Sequence, residues 1–466
     1  MKQLLSLLAL AALVAFSACK KDDDPDPIDT NTAIKLTGNL STQTLTKDKK
    51  YLIEGQVFVR SGQTLTVEPG TVILGDKRTK GTLIIDIGGQ LIANGTVNEP
   101  IIFTSNQDAG VRDRGDWGGL VILGRANCNQ ENPAIEGITP SVVFGTLNNT
   151  QFDNESSGSL KYVRVEFAGI ELTPNNETNS ITMGGVGRGT VMEYCMVSFG
   201  GDDGFEWFGG TVNGKYFVSF ASWDDCFDVD FGWSGNVQYG LAVRYPGFAD
   251  QSQSNSFECD NGPNDNDVQP YTTGVFSNIT ALGPIKTGTS ASNANFGHSI
   301  DLRRRTAVSI FNSVFAGFPR GIRMNQPSVL AQYQGGTGVL ENNILLATNA
   351  STTYNFGTGV TLADVEAYWT AGNTTIAGPA ADATHTTAGI NPDWFFGSRV
   401  ANDYPSNPSF VVTSGTAATG ASFGNGKFNE ANRSAFFNKT VAFRGGFGAT
   451  DWTDGWAEFD PTDKVY

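Results

Sequence analysis

Between residues 51 and 105 apolar and polar positions alternate in short runs, as in Leu65-Val67 and Leu83-Ile85-Ile87, and Gly or Pro-Gly closes each run. Period-two alternation bounded by turn residues predicts short β-strands at close intervals, as in a sandwich, a barrel or a solenoid. Later segments decide among these because they recur in kind. "LKYVRVEFAG", "MEYCMVSFGG", "GKYFVSFAS" and "VQYGLAVRY" carry Tyr162, Tyr194, Tyr216 and Tyr239, spaced 32, 22 and 23 residues apart. Further on, "VFSNITALG", "IFNSVFAGF" and "LENNILLAT" set Ser277-Asn278, Asn312-Ser313 and Asn342-Asn343 just before an apolar residue, 35 and 30 residues apart. A repeat near 22 residues with insertions and without helices predicts an all-β chain folded as a parallel β-helix, its coils burying Phe, Val and Ile in one continuous core.

The solenoid is expected over residues 46–350, with the Tyr51 region as its N-terminal cap, and residues 351–466 repeat less clearly and read as an irregular cap. Within that cap "TLADVEAY" (361–368) predicts one short helix with Thr361 as N-cap and Leu362, Val365 and Trp369 on one face. Trp394, Trp452 and Trp456 are expected to cover the open end or side of the solenoid; aromatic platforms for sugar are the alternative reading.

Composition agrees with a turn-rich β protein: Gly is 56 of 466 residues, about 12% against an average of about 7%. The formal net charge is −16, which repels a phosphate backbone and excludes nucleic acid as the expected partner. An acidic chain can still hold cations, or uronic-acid glycans through a cation bridge. Cys128, Cys195, Cys226 and Cys259 have spacings that fit no CxxC metal site. They read as small buried hydrophobes, with disulfides open to a chain outside the cytoplasm. A monomer is expected.

Residues 1–18 have a positive start, an apolar run from Leu4 to Phe16 and small residues before Cys19, the pattern of a signal peptide too short to span a bilayer. Ordinary cleavage after Ala18 would want a small residue where Phe16 stands. Phe16-Ser17-Ala18-Cys19 resembles a bacterial lipobox, which implies that Cys19 is lipidated and anchors the chain in outer-membrane lipid. Residues 19–45 then read as a solvated tether, beginning Lys20-Lys21-Asp22-Asp23-Asp24-Pro25. An acidic run behind such a cysteine also resembles the surface-export signal of Bacteroidota lipoproteins, implying display at the cell surface.

The strongest chemical signal is a repeated acidic run. "SFGGDDGFEWFGG" (198–210) and "SWDDCFDVDFG" (222–232) place Asp202-Asp203 and Asp224-Asp225 22 residues apart, each followed at the same offset by Phe205-Glu206 or Phe227-Asp228. With Phe205, Trp207, Phe227 and Val229 inward, Glu206, Asp228 and Asp230 face out, and "SFECDNG" adds Glu258 and Asp260. Stacked in register, Asp202, Asp203, Glu206, Asp224, Asp225, Asp228, Asp230, Glu258 and Asp260 crowd one patch. Two unit charges ~4.8 Å apart repel by about 0.9 kcal/mol in water and roughly 3.5 kcal/mol at an effective dielectric of 20. Calcium, a hard cation taking 6 to 8 oxygen ligands, suits such a patch; zinc or iron would want His or Cys, and His298 and His385 lie outside the run. The plain alternative is that turn acids point apart into water. By pattern "HSIDLRRR" and "RGIRMN" continue the face with Asp301, Arg303, Arg323 and Asn325 outward, so acid gives way to guanidinium.

"VEPGTVI", "LIANGTVNEPIIFTS", "DWGGLVILG" and the closing "AFRGGFGATDWTDGWAEFDP" resemble a group of Bacteroidota right-handed parallel β-helix lipoproteins, which implies the handedness and the location. "DDGFE" and "DDCFD" are similar to the Asp-Asp-Gly-Phe-Asp calcium motif of family 9 polysaccharide lyases, also right-handed β-helices. That resemblance implies Asp202, Asp203, Glu206, Asp224, Asp225 and Asp228 as calcium ligands. The family's proton-abstracting lysine follows Gly-Phe in a later coil, and Ser256-Phe257-Glu258 stands there instead. Arg303 and Arg323 are the remaining candidates for a base, although an arginine beside acids is more often an ion-pair partner, and Asp260, Asp301, Arg303 and Arg323 are candidates for contacts to substrate. With two histidines and no GxSxG, no Ser or Cys triad is expected. The first reading is a surface-anchored binder of calcium and glycan. The alternatives are a calcium-dependent lyase or hydrolase of acidic polysaccharide, and a non-catalytic adhesion scaffold.

Overall fold

The computed structural model describes residues 32–173, 176–285, 292–347, 350–377, 387–391 and 408–466. Short parallel strands stack coil upon coil, and 26 of them join one continuous sheet, giving a right-handed parallel β-helix. Each complete coil has three faces. Val191–Ser198 crosses the first and second faces and Phe205–Phe208 forms the third; Gly214–Phe220 with Phe227–Asp230, then Asn236–Val243 with Phe257–Cys259, repeat this one and two coils later. The register is continuous: Cys195 pairs with Phe217 and Phe217 with Gly240, while Phe205 pairs with Phe227 and Phe227 with Phe257. The inward residues therefore form columns. Phe205, Phe227, Phe257, Ile300 and Ile322 are all fully buried, each such side chain contributing about 1.5–3 kcal/mol of transfer free energy.

The recurring tyrosines and asparagines occupy one structural position, the bend from first to second face. Tyr162, Tyr194, Tyr216, Tyr239, Asn278, Asn312 and Asn342 all have φ between 49° and 66°. A bend at each of these rungs accounts for their spacing.

The coils begin earlier than the sequence predicts. Ile34–Leu40 pairs in parallel with Lys50–Val59 and Gln43–Leu45 with Thr64–Val67, so the tether expected over 19–45 gives way to packed strands from Ile34. Leu36, Leu40 and Leu45 are buried there and supply the apolar area that a tether lacks. Tyr51 consequently lies one coil inside the solenoid, paired with Ile34. Beyond residue 350, Tyr354–Phe356 pairs with Arg320–Met324 and Thr374–Ala377 with Ile344–Ala347.

The helix Leu362–Gly372 is capped as expected, Thr361 Oγ1 accepting from Asp364 N and the Asp364 carboxylate from Thr361 N. Val365 and Trp369 are buried in the core while Leu362 is 44% exposed, so the predicted apolar face is narrower by one residue. The segment 408–466 runs back along the side of the solenoid. Trp456 meets Tyr162 and Tyr194 edge-on, each at 5.9 Å between centroids. Trp394 and Cys19 lie outside the described residues. The four described cysteines are buried and free of disulfides. No helix among the described residues is long and apolar enough to cross a membrane.

Candidate metal centre

The third face carries the acidic ladder in the register that alternation predicts. One outward column runs Thr182, Glu206, Asp228, Glu258, Asp301, Arg323. The aspartate doublets sit on the turn leading into this face, and Asp224 N donates to Asp202 O across the stack at 3.4 Å. Three groups of carboxylates converge so that one oxygen from each member lies within 4.8 Å of the others: Asp202, Asp203 and Asp224; Asp203, Glu206 and Asp228; Asp225, Asp228 and Glu258. Asp203 belongs to two of these groups and so does Asp228, so they form one chain of acids. Asp230 pairs with Phe208 in the neighbouring column and is absent from the three groups; its Oδ1 accepts from Phe231 N at 2.6 Å.

Part of this carboxylate is structural. Asp203 Oδ1 accepts from Asp225 N at 2.7 Å, Asp225 Oδ1 accepts from Asn255 N, and Asn255 Oδ1 accepts from His298 N at 2.7 Å. Each side chain thus caps the next turn, and the amide of Asn255 shows that capping needs no charge. His298 closes this column, closer to the run than its sequence position suggests. Burial, followed by Arg323 and Arg320, holds its pKa well below the ordinary value.

Two oxygens of the ladder lack partners. Asp224 Oδ1 and Asp228 Oδ1 are buried and accept no hydrogen bond. Burial first, and mutual repulsion second, raise Asp202, Asp203, Glu206, Asp228 and Glu258 well above the carboxylate range. Asp224 is pushed up to about 6 and Asp225 to about 8, both chiefly by burial. A cation at the shared oxygens would supply both the missing partners and the missing charge, and an all-oxygen donor set fits a hard divalent ion such as calcium.

Two coils further along, the carboxylates find partners within the chain. Asp260, 3% exposed, accepts from Arg303 Nε at 3.0 Å and Nη2 at 2.6 Å, and from Arg304 Nη1 at 2.6 Å. Arg303 also pairs with Glu258. Asp301, 1% exposed, is held by Arg323 through Nε at 2.7 Å and through Nη2. Burial alone would lower the pKa of Arg303, but Asp260 and Glu258 raise it above its ordinary value. These pairs weigh against Arg303 or Arg323 acting as a base, since the guanidinium protons are held by carboxylates. Asp260 and Asp301 likewise face guanidinium groups rather than an incoming substrate.

The pectate-lyase-like β-helix domain matches residues 38–394, more than half of the chain. The chain belongs to this pectate-lyase-like β-helix family. Among solved structures the Dettilon tailspike protein (gp208) is similar at 11% identity and a TM-score of 0.25, over 68% of this chain and 62% of that one. The chain thus spans less than two thirds of the tailspike's length. No curated protein matches.

On this pectate-lyase-like β-helix, insertions between coils build clefts on either side of Asp202. One, about 290 Å³, lies beneath the hairpin Glu171–Thr173/Asn176–Glu177 and is lined by Ile135, Asn179, Glu206 and Phe208. The other, also about 290 Å³, is lined by Trp223, Asp224 and Asp250. Sequence reasoning missed four contributors. Asn179 stands two residues before its strand, the counterpart of Asp203, and its Nδ2 donates to Glu206 Oε2. The offset was readable, but an asparagine carries no charge to flag it. Arg244 is fully buried and donates to the carbonyls of Trp223, at 3.2 Å, and Asp224, fixing the second doublet from below. Ser252 Oγ donates to Asp224 Oδ2 at 2.7 Å, and Trp223 Nε1 to Asp250 Oδ1 at 3.1 Å. Arg244, Ser252 and Asp250 come from strands and loops whose approach depends on insertion length, which alternation does not encode.

Proposed function

We propose that this chain is a cell-surface β-helix protein that holds calcium in the acidic ladder and, through the metal, an acidic polysaccharide. The observation that carries the reading is the chain of three overlapping carboxylate groups with buried, unpartnered oxygens on Asp224 and Asp228. Asp202, Asp203, Glu206, Asp224, Asp225, Asp228 and Glu258 would hold the metal. Bound there, calcium supplies positive charge that can bridge a uronate carboxylate to a face which otherwise repels it. Membership of a pectate-lyase-like family supports a carbohydrate-related role. The lipobox-like residues 16–19 support an outer-membrane anchor through Cys19 with display outside the cell, and nothing in the reading requires more than a monomer.

The test is co-sedimentation of chelator-treated full chain with polygalacturonate and alginate, with and without calcium. Calcium-dependent binding that Asp228→Asn abolishes is expected; binding indifferent to both changes contradicts the reading.

The same family membership favours, as second reading, a calcium-dependent lyase or hydrolase. The ion pairs of Arg303 and Arg323, and Glu258 at the position of the lyase lysine, weigh against it. Calcium-dependent release of unsaturated, ultraviolet-absorbing products from these polymers would overturn that order. Silence in both assays would leave the adhesion scaffold.

A further inference from the structure

The corner between first and second faces raises a separate question. Asn278, Asn312 and Asn342 occupy it at φ 59°, 52° and 60°, a left-handed conformation that asparagine accepts readily. Tyr162, Tyr194, Tyr216 and Tyr239 adopt the same conformation at 49°, 56°, 61° and 66°, where a bulky aromatic residue is strained. Strain retained over four successive rungs, when the chain itself shows the relaxed solution nearby, points to a use for the rings.

What the C-terminal segment does at these rungs suggests the use. At the asparagine rungs it lies directly on the corner: Asn278 Nδ2 donates to Phe443 O at 3.0 Å, Asn312 Nδ2 to Ser422 O at 3.0 Å, and Ser422 N to Asn312 Oδ1 at 2.8 Å. Beside the tyrosines it makes contact through the rings of Trp456 and Trp452 and leaves between these contacts a cleft of about 260 Å³, with Tyr194, Tyr216 and Tyr239 on one side and Phe443, Thr450 and Trp452 on the other. The tyrosines stack at 4.3, 4.3 and 4.9 Å between centroids. Trp452 meets Tyr216 at 63°, so the two make an angled pair of aromatic walls. Phe447 stacks on the indole at 4.8 Å, and Trp452 Nε1 donates to Gly446 O at 2.8 Å, so this wall is braced. No ionised side chain lines the cleft among the described residues, although the chain carries a net charge of −16.

We propose that this cleft is a carbohydrate subsite that takes one uncharged pyranose ring. The aromatic walls receive its C–H face, and the phenol hydroxyls with Thr450 receive its hydroxyl groups. It lies on a different face from the acidic ladder, needs no metal and stands independently of the function proposed above.

The test is titration of the chelator-treated full chain with the methyl glycosides of glucose, galactose, mannose and N-acetylglucosamine, read by tryptophan fluorescence and saturation-transfer NMR. Saturable binding of at least one is expected. Tyr216→Asn installs the residue used at the same corner two coils later, so it should weaken binding by about tenfold or more while the melting temperature holds or rises. Thr450→Trp fills the cleft from an exposed position and should abolish binding with the tyrosine stack intact. The inference is overturned if none of the four sugars binds, if both variants bind as the parent does, or if binding requires calcium.

Discussion

Asp260 faces Arg303 and Arg304, and Asp301 faces Arg323, whereas one and two coils earlier Asp203, Glu206, Asp225 and Asp228 face chiefly one another. The two regions share a face and a register. They differ in where the compensating charge comes from. In the later coils a guanidinium forms a two-point contact with its carboxylate, the geometry that best offsets desolvation. In the earlier coils no Lys or Arg pairs with the acids of the doublets among the described residues, and Arg244 below them spends its donors mainly on backbone carbonyls. A buried acid left without a partner either keeps a proton or has its charge completed by something outside the chain. The contrast therefore distinguishes a structural ladder from one that calls for a ligand.

The largest effect should come from breaking the self-sufficient region. Arg323→Met leaves Asp301 buried without its partner and should lose about 3–5 kcal/mol in chemical denaturation, with calcium uptake unchanged. Next is the pH response of the metal-free chain. Burial raises the doublet and ladder carboxyls, so the folded state keeps protons that the unfolded state has released. Stability is then greatest below the ordinary aspartate pKa of 3.8 as far as these groups decide it, and it falls as pH rises through about 6 for Asp224 and about 8 for Asp225. Urea midpoints at pH 5 and pH 8 in chelator should show that fall, and saturating calcium should flatten it. At a hundredfold excess over its Kd, calcium should add about 2.7 kcal/mol to the parent. The smallest expected change is that of Asp228→Asn in chelator, a gain of about 1 kcal/mol from relieved repulsion, accompanied by loss of the calcium increment. A loss of stability in that variant would place Asp228 with the structural residues.

The repeat, the register and the column of acids were legible because a strand's alternation is strict and one coil spacing recurs. Phe205-Glu206 and Phe227-Asp228 therefore had to align once the chain stacked. The partnership of Asp260 with Arg303 was not legible: the two are 43 residues apart, and which outward neighbours touch depends on side-chain reach. Nor was the structural use of Asp203 and Asp225 visible, because Asn255 fills the same capping position without charge. The start of the solenoid was misjudged because Leu36, Leu40 and Leu45 are spaced too loosely to announce strands until the coil at 50–59 gives them a surface. The tyrosines show the opposite case. Their spacing announced the repeat, yet only the path of residues 408–466 reveals a cleft beside them.

Isothermal titration of the chelator-treated chain with calcium at pH 8 tests the central claim most directly. Saturable uptake is predicted, weakened about tenfold or more by Asp203→Asn and by Asp228→Asn and left intact by Arg323→Met. Absence of uptake in the parent, or equal uptake in all four proteins, would contradict it.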